Sequence, residues 1–168
     1  KEEPFPRYSY DDAMKSFGAD KFDLRSKEEK EKNVLAFAWV TDFPLFEKTK
    51  TGKWTYSHNP FTGVYQSDRE KLLREDDISS IRSLQYDLVC NGFELGSGSI
   101  RAFQPEILEK VFEIIGHKPK QIETEFGHML RAFTMGVPPH GGIGLGIDRI
   151  AAILSKEASI REVQAFPM

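Results

Sequence analysis

A chain of 168 residues is long enough for one compact domain with its own core, since chains of about 150 residues bury roughly 68–70% of their unfolded surface. Its 39% hydrophobic content, thirteen phenylalanines and 29% charged residues exclude a disordered polymer, and its one cysteine, Cys90, excludes an internal disulfide or a multi-cysteine zinc site and suits a reducing cytosol. No run of about 18 apolar residues offers a membrane span, and a net charge of −3 argues against gripping a nucleic acid by bulk electrostatics, leaving a local basic patch as the route to one.

In chain order, residues 1–33 read as a leader and residues 34–168 as the folded part. KEEPFPRY has no initiator methionine and reads as a linker; Ser9, with Asp12 three residues on, is a helix start that Gly18 ends. SKEEKEKN, residues 26–33, is a solvated helix face or turn. VLAFAWVT, from Val34, has the continuous apolar and β-branched character of a strand buried on both faces. DFPLFEKTKTGKWTYSH then reads as a hairpin closed by a Lys-Thr-Gly-Lys turn, and residues 62–82 as a polar, mobile loop with one possible helical turn.

SLQYDLVCNGFELGSGSIRAF has the clearest local geometry. Asn91-Gly92 suits a two-residue type I′ turn, which needs positive φ at both positions, and that turn sets Cys90 against Phe93 and Val89 against Glu94. Asp87 and Glu94 then become diagonal neighbours, roughly 7–8 Å apart at the backbone, able to converge on one ion. Arg101 lies seven residues beyond Glu94, so it shares that face only if the Gly96–Ser99 stretch carries a bulge that reverses the parity. Two helices follow. Pro105 opens the first, whose stripe is Ile107, Leu108, Val111, Phe112, Ile114 and Ile115 with Gly116 as its stop; the second runs from about Lys120 to Met135. Strands that precede and interleave with helices point to an α+β fold on a mostly antiparallel sheet.

PPHGGIGLGIDRI, residues 138–150, matches neither the P-loop nor the dinucleotide fingerprint. Its glycines allow close backbone approach, and Asp148-Arg149 opens a helix. An arginine in a first turn opposes the helix dipole by a few tenths of a kcal/mol, a sign that an anionic ligand reverses. Periodicity leaves each candidate with two readings. Arg149 is a phosphate ligand or a snorkelling arginine. Asp87 and Glu94 are a magnesium site or two solvent-facing carboxylates, and Arg101 belongs to a charged cleft or to the surface. His58, in SHNPFT, is a ligand or a turn histidine, and His140 is a partner for a buried carbonyl.

Together, YDLVCNGFELGSGSIR, PPHGGIGLGIDRI and SIREVQAFP, in this order, closely resemble the catalytic domain of the class II aminoacyl-tRNA synthetases, in their bacterial aspartate-specific branch. FAWVTDFPLFEK, SHNPFT and the leader FPRYSYDDAMKSFGADKFDLR are similar to the same branch, so the resemblance runs over nearly all of the chain. It implies an ATP-dependent ligase that activates L-aspartate as aspartyl-adenylate and transfers it to tRNA for aspartate, with asparagine tRNA as a second acceptor in some members. It further implies a cytoplasmic homodimer. Residue by residue, Arg149 would bind the terminal phosphate of ATP, with Gly146, Ile147 and Asp148 completing that contact. Glu94, with Asp87, would hold Mg2+ and position ATP; Arg101 and His58 would bind aspartate, Arg101 by clamping its side-chain carboxylate.

The chain also departs from the family. His58-Asn59 stands where two histidines are common, and no Phe-Arg dipeptide occurs, so the second class-defining motif and its α-phosphate arginine are missing. Between Arg25 and Val34 a short charged linker stands where many bacterial members carry a whole extra domain. Both ends read as truncated, and the isolated chain is expected to be impaired in turnover. The alternative reading is a non-catalytic synthetase-like paralogue or interaction module.

Overall fold

The structure, a computed structural model, describes residues 4–167. They form a mixed α and β fold whose five-stranded sheet has the order β1-β2-β5-β6-β7: β1 (Arg7–Ser9), β2 (Phe37–Thr41), β5 (Gln85–Cys90), β6 (Phe93–Ile100) and β7 (Gly141–Leu145). β1 pairs with β2 in parallel, and β2 with β5 antiparallel. A separate hairpin joins β3 (Phe46–Lys48) to β4 (Trp54–Tyr56). The chain divides into two compact units, one built of the residues up to Thr41, Tyr86–Gly98 and those from Ile143 on, the other of Asp42–Gln85 and Ser99–Gly142.

In the first unit, α1 (Tyr10–Phe17) starts as its sequence specifies: the Ser9 hydroxyl oxygen accepts from the Asp12 N–H at 3.1 Å, and Gly18 ends the helix in the left-handed region at φ 71°. α2 (Lys27–Glu31) is the charged run, closed by a reciprocal capping box between Ser26 and Glu29, with no buried residue. β2 begins three residues later than the apolar run, because Asn33 turns at φ 52° and the Val34 N–H still donates to the Glu29 carbonyl. Ala38 and Val40 are fully buried while Phe37, Trp39 and Thr41 are half-covered, so only one face of this strand is sealed, unlike the expectation. Asn91 and Gly92 adopt φ 52° and 89° between β5 and β6, as a type I′ turn requires.

The same hairpin carries the expected bulge. A two-residue turn counts Asp87 against Gly96, yet the Ser97 hydroxyl donates to Asp87 Oδ1 at 2.6 Å. Leu84, which would count against Ser99, accepts from the Ile100 N–H. β6 therefore holds one extra residue between the turn and Ile100. α6 (Ile147–Ser155) follows β7, and the Gly146 N–H donates to the Leu95 carbonyl at 2.8 Å.

The second unit holds the larger core. α4 (Pro105–Ile114) buries Ile107, Leu108, Val111 and Phe112; α5 (Pro119–Thr134) buries Ile122 and Leu130, and Phe112 stacks on Phe126 with centroids 4.2 Å apart. Residues 62–82 correct the mobile-loop reading. They contain α3 (Arg69–Arg74) between two 3-10 turns and contribute Val64, Leu72 and Ile81 to this core, the latter two fully buried. Asp68 pins the segment: its carboxylate accepts from the Arg82 backbone N–H and from its guanidinium at 2.9 and 3.2 Å. That long-range lock has no periodicity to announce it. Among the described residues no helix is long and apolar enough to cross a membrane.

Candidate functional site

Each unit gathers one group of the residues singled out from the sequence. In the first, the start of α6 faces β6. Arg149 Nη1 donates to the Glu94 backbone carbonyl at 2.8 Å and to its Oε1 at 3.0 Å, so the guanidinium reaches a specific acceptor instead of snorkelling. Glu94 Oε2 also pairs with Lys21 at 3.1 Å. Burial alone pushes the Glu94 carboxyl upward, but the hydrogen bonds from Lys21 and Arg149 outweigh it and hold the group below the ordinary glutamate range. Glu94 is therefore ionised at neutral pH. Glu94, Gly146, Ile147, Asp148 and Arg149 all border one open cleft of about 450 Å³, together with Ser97.

The local sequence explains the cleft. A Cβ on Gly96 would lie 2.8 Å from the Leu145 side chain and 3.1 Å from the Gly144 carbonyl, so glycine lets β6 and β7 close up beside it. Asp148 accepts from Gln164 Nε2 at 2.7 Å, which ties the helix start to the chain's last described turn. Arg149 and the N-terminus of the nine-residue α6 border the cleft, a combination that suits an anion, while Lys21 reaches it only through its ion pair with Glu94. Asp87 is 4% exposed and does not border the cleft; it meets the site through Ser97. Mg2+ takes one or two protein carboxylates beside water and phosphate oxygens, and of the two candidates only Glu94 lines the cleft, its oxygens paired with Arg149 and Lys21. Among the described residues no group of three or more His, Cys, Asp or Glu forms a fuller cage.

In the second unit, Arg101 leaves the end of β6 with its backbone N–H donating to the His140 carbonyl at 2.9 Å and its Nη1 to Asn59 Oδ1 at 3.0 Å. Arg101 has no ion-pair partner among the described residues, in contrast to Arg82 and Arg149. His58, one residue before Asn59, is exposed in the turn after β4. His140 is exposed too and shares a 3.0 Å hydrogen bond with the Pro138 carbonyl, so it serves a surface turn and not a buried carbonyl. Sequence reasoning missed Lys21, Ser97 and Gln164. Nothing near Lys21 or Gln164 marks them, whereas Ser97 sits in the stretch that carries the bulge. Asn59 had a signal, its position in place of a histidine.

The family model for class II tRNA synthetases (D, K and N) matches residues 1–168. An aspartate–tRNA ligase of Streptomyces coelicolor is 46% identical over 161 residues, covering 95% of this chain and 27% of its own length. An aspartate–tRNA(Asp/Asn) ligase of Cereibacter sphaeroides is 50% identical over 138 residues, covering 82% and 23%. Among solved structures, an aspartyl-tRNA synthetase of Entamoeba histolytica superimposes with a TM-score of 0.66 at 22% identity over 98% of this chain and 31% of that one, a likeness of fold. An asparaginyl-tRNA synthetase of Pyrococcus horikoshii gives 0.64 at 26% identity over 98% and 36%. The chain thus spans about a quarter of the length of the curated relatives it matches. The hairpin, the glycine-spaced β7 and the Arg149 helix start lie inside the stretch that these comparisons cover, and the chain belongs to the class II tRNA synthetases of the aspartate, lysine and asparagine group.

Proposed function

We propose that this chain is the C-terminal part of the catalytic domain of an aspartate–tRNA ligase, with residues 34–168 as that part and 1–33 as its leader. The observation that carries the reading is the pairing of Arg149 with Glu94 at one cleft, beside the lysine and helix N-terminus that suit polyphosphate. Arg149 binds the terminal phosphate of ATP, and Gly146, Ile147 and Asp148 line that contact. Glu94 and Asp87 would hold Mg2+, which when bound neutralises phosphate charge. Arg101 clamps the side-chain carboxylate of L-aspartate through its forked donors, and His58 approaches the amino acid from its exposed turn.

The α-carboxylate of aspartate attacks the α-phosphorus of ATP and pyrophosphate leaves, giving aspartyl-adenylate. A hydroxyl of the terminal ribose of tRNA then takes the aspartyl group and AMP leaves. These residues work by positioning and charge neutralisation, with no covalent intermediate on the protein. The acceptor is tRNA for aspartate, and the full-length enzyme is a cytoplasmic homodimer. Aspartate-dependent exchange of pyrophosphate into ATP by the full-length protein tests the reading: exchange is expected, and its absence with every amino acid would favour a non-catalytic paralogue.

A further inference from the structure

The guanidinium of Arg101 is held by one neutral acceptor. Asn59 Oδ1 lies 3.0 Å from Arg101 Nη1 and also accepts from the Phe61 N–H at 3.0 Å, which fixes the amide in a local turn. Behind it, Thr62 Oγ1 sits 3.3 Å from the same Oδ1 and 3.4 Å from Ser99 Oγ, and Thr62 and Ser99 are 1% and 4% exposed. The backbones are tied as well. Thr62 bridges Arg101, the Gly63 N–H donates to the Ile100 carbonyl and the Ala102 N–H to the Phe61 carbonyl, each at 2.8 Å. The amide is thus anchored on a rigid, buried base while the guanidinium it aims is exposed and carries no counter-charge among the described residues.

We infer that Asn59 is a positioning residue that aims Arg101 at an anionic carboxylate while leaving its positive charge unspent. This rests on Arg101 binding the aspartate side chain. The residue type carries the argument: a carboxylate at position 59 would make the same hydrogen bonds to Phe61, Thr62 and Arg101 but would neutralise the guanidinium and compete with the substrate. A purely structural turn residue has no such preference, because aspartate and asparagine stabilise this kind of turn equally well.

The test is steady-state pyrophosphate exchange by the full-length protein, with KM measured separately for aspartate and ATP in Asn59→Asp, Asn59→Ala, Asn59→His and Arg101→Ala, and with urea midpoints as a check on folding. Asn59→Asp is expected to raise KM for aspartate about tenfold or more, a loss of about 1.4 kcal/mol, with KM for ATP unchanged. Asn59→His, which keeps a neutral acceptor, is expected to stay closer to wild type than Asn59→Ala. An unchanged KM for aspartate in Asn59→Asp, with Arg101→Ala raising it, overturns the role of Asn59 and leaves the aspartate reading standing. An unchanged value in Arg101→Ala overturns both. Should Asn59→Asp fail to fold, equal KM values for the histidine and alanine variants overturn the inference by themselves.

Discussion

Arg149 shows what a single side chain gains from its partner. At the start of a helix an arginine opposes the dipole, and spacing alone favours a snorkelling role over a phosphate role. In the fold it donates twice to Glu94, which Lys21 holds from the other side. Replacing it with alanine is expected to lower the exchange rate of the full-length protein by about 10²–10³-fold, as for loss of one preorganised donor, with lysine only partly restoring it. Initial-rate exchange assays at saturating aspartate check this. Asp23 makes a separate, purely structural case. Its bidentate hydrogen bonds with Arg25 outweigh burial and lower its pKa from 3.8 to about 2. A depressed carboxylate stabilises the fold above its unfolded value and loses that contribution as pH falls through the folded one. The contribution, of order 1–2 kcal/mol, is thus present above about pH 4 and lost towards pH 2, and Asp23→Asn should flatten the stability profile across that window in urea titrations. Arg149, Glu94 and Arg101 were noticed as candidates because charged residues in glycine-rich or hairpin contexts are unusual. Lys21 was not, since a lone lysine in a polar leader carries no pattern, and its partner lies 73 positions away in the chain.

At the scale of elements, local chemistry was the reliable guide. The Ser9 cap, the Gly18 stop, the Asn91-Gly92 turn and the bulge in β6 each depend on a few adjacent residues, and each formed where those residues stand. Gly92, at φ 89°, tolerates no branched side chain there, so Gly92→Val is expected to destabilise the protein by more than about 1 kcal/mol in chemical denaturation. The segment 62–82 misled because its stabilising contacts are long-range. A short helix with scattered apolar residues has no stripe, yet Leu72 and Ile81 are fully buried and Asp68 locks onto Arg82 across fourteen positions. Leu72→Ala is expected to cost 2–5 kcal/mol, the range for a buried leucine, whereas a mobile loop would lose almost nothing. Urea midpoints with an unchanged m-value separate the two.

For the molecule as a whole, the α+β class and the antiparallel character of the sheet followed from the order of strand-like and helix-like stretches, and the family from motifs spread over the chain. The division into two units was not legible, because both are assembled from segments distant in sequence. The proposed function rests on two charged groups, one in each unit: Arg149 paired with Glu94 at its cleft, and Arg101, which has no ion-pair partner among the described residues. Under that proposal the charge on Arg101 selects the amino acid, since a guanidinium without an ion-pair partner favours an anionic side chain over a neutral amide of the same shape. The decisive measurement is pyrophosphate exchange by the full-length protein with aspartate or asparagine as the only amino acid, in wild type and Arg101→Ala. Exchange with aspartate alone, abolished in Arg101→Ala, is the predicted result; equal exchange with asparagine, or an Arg101→Ala variant as active as wild type, would contradict it.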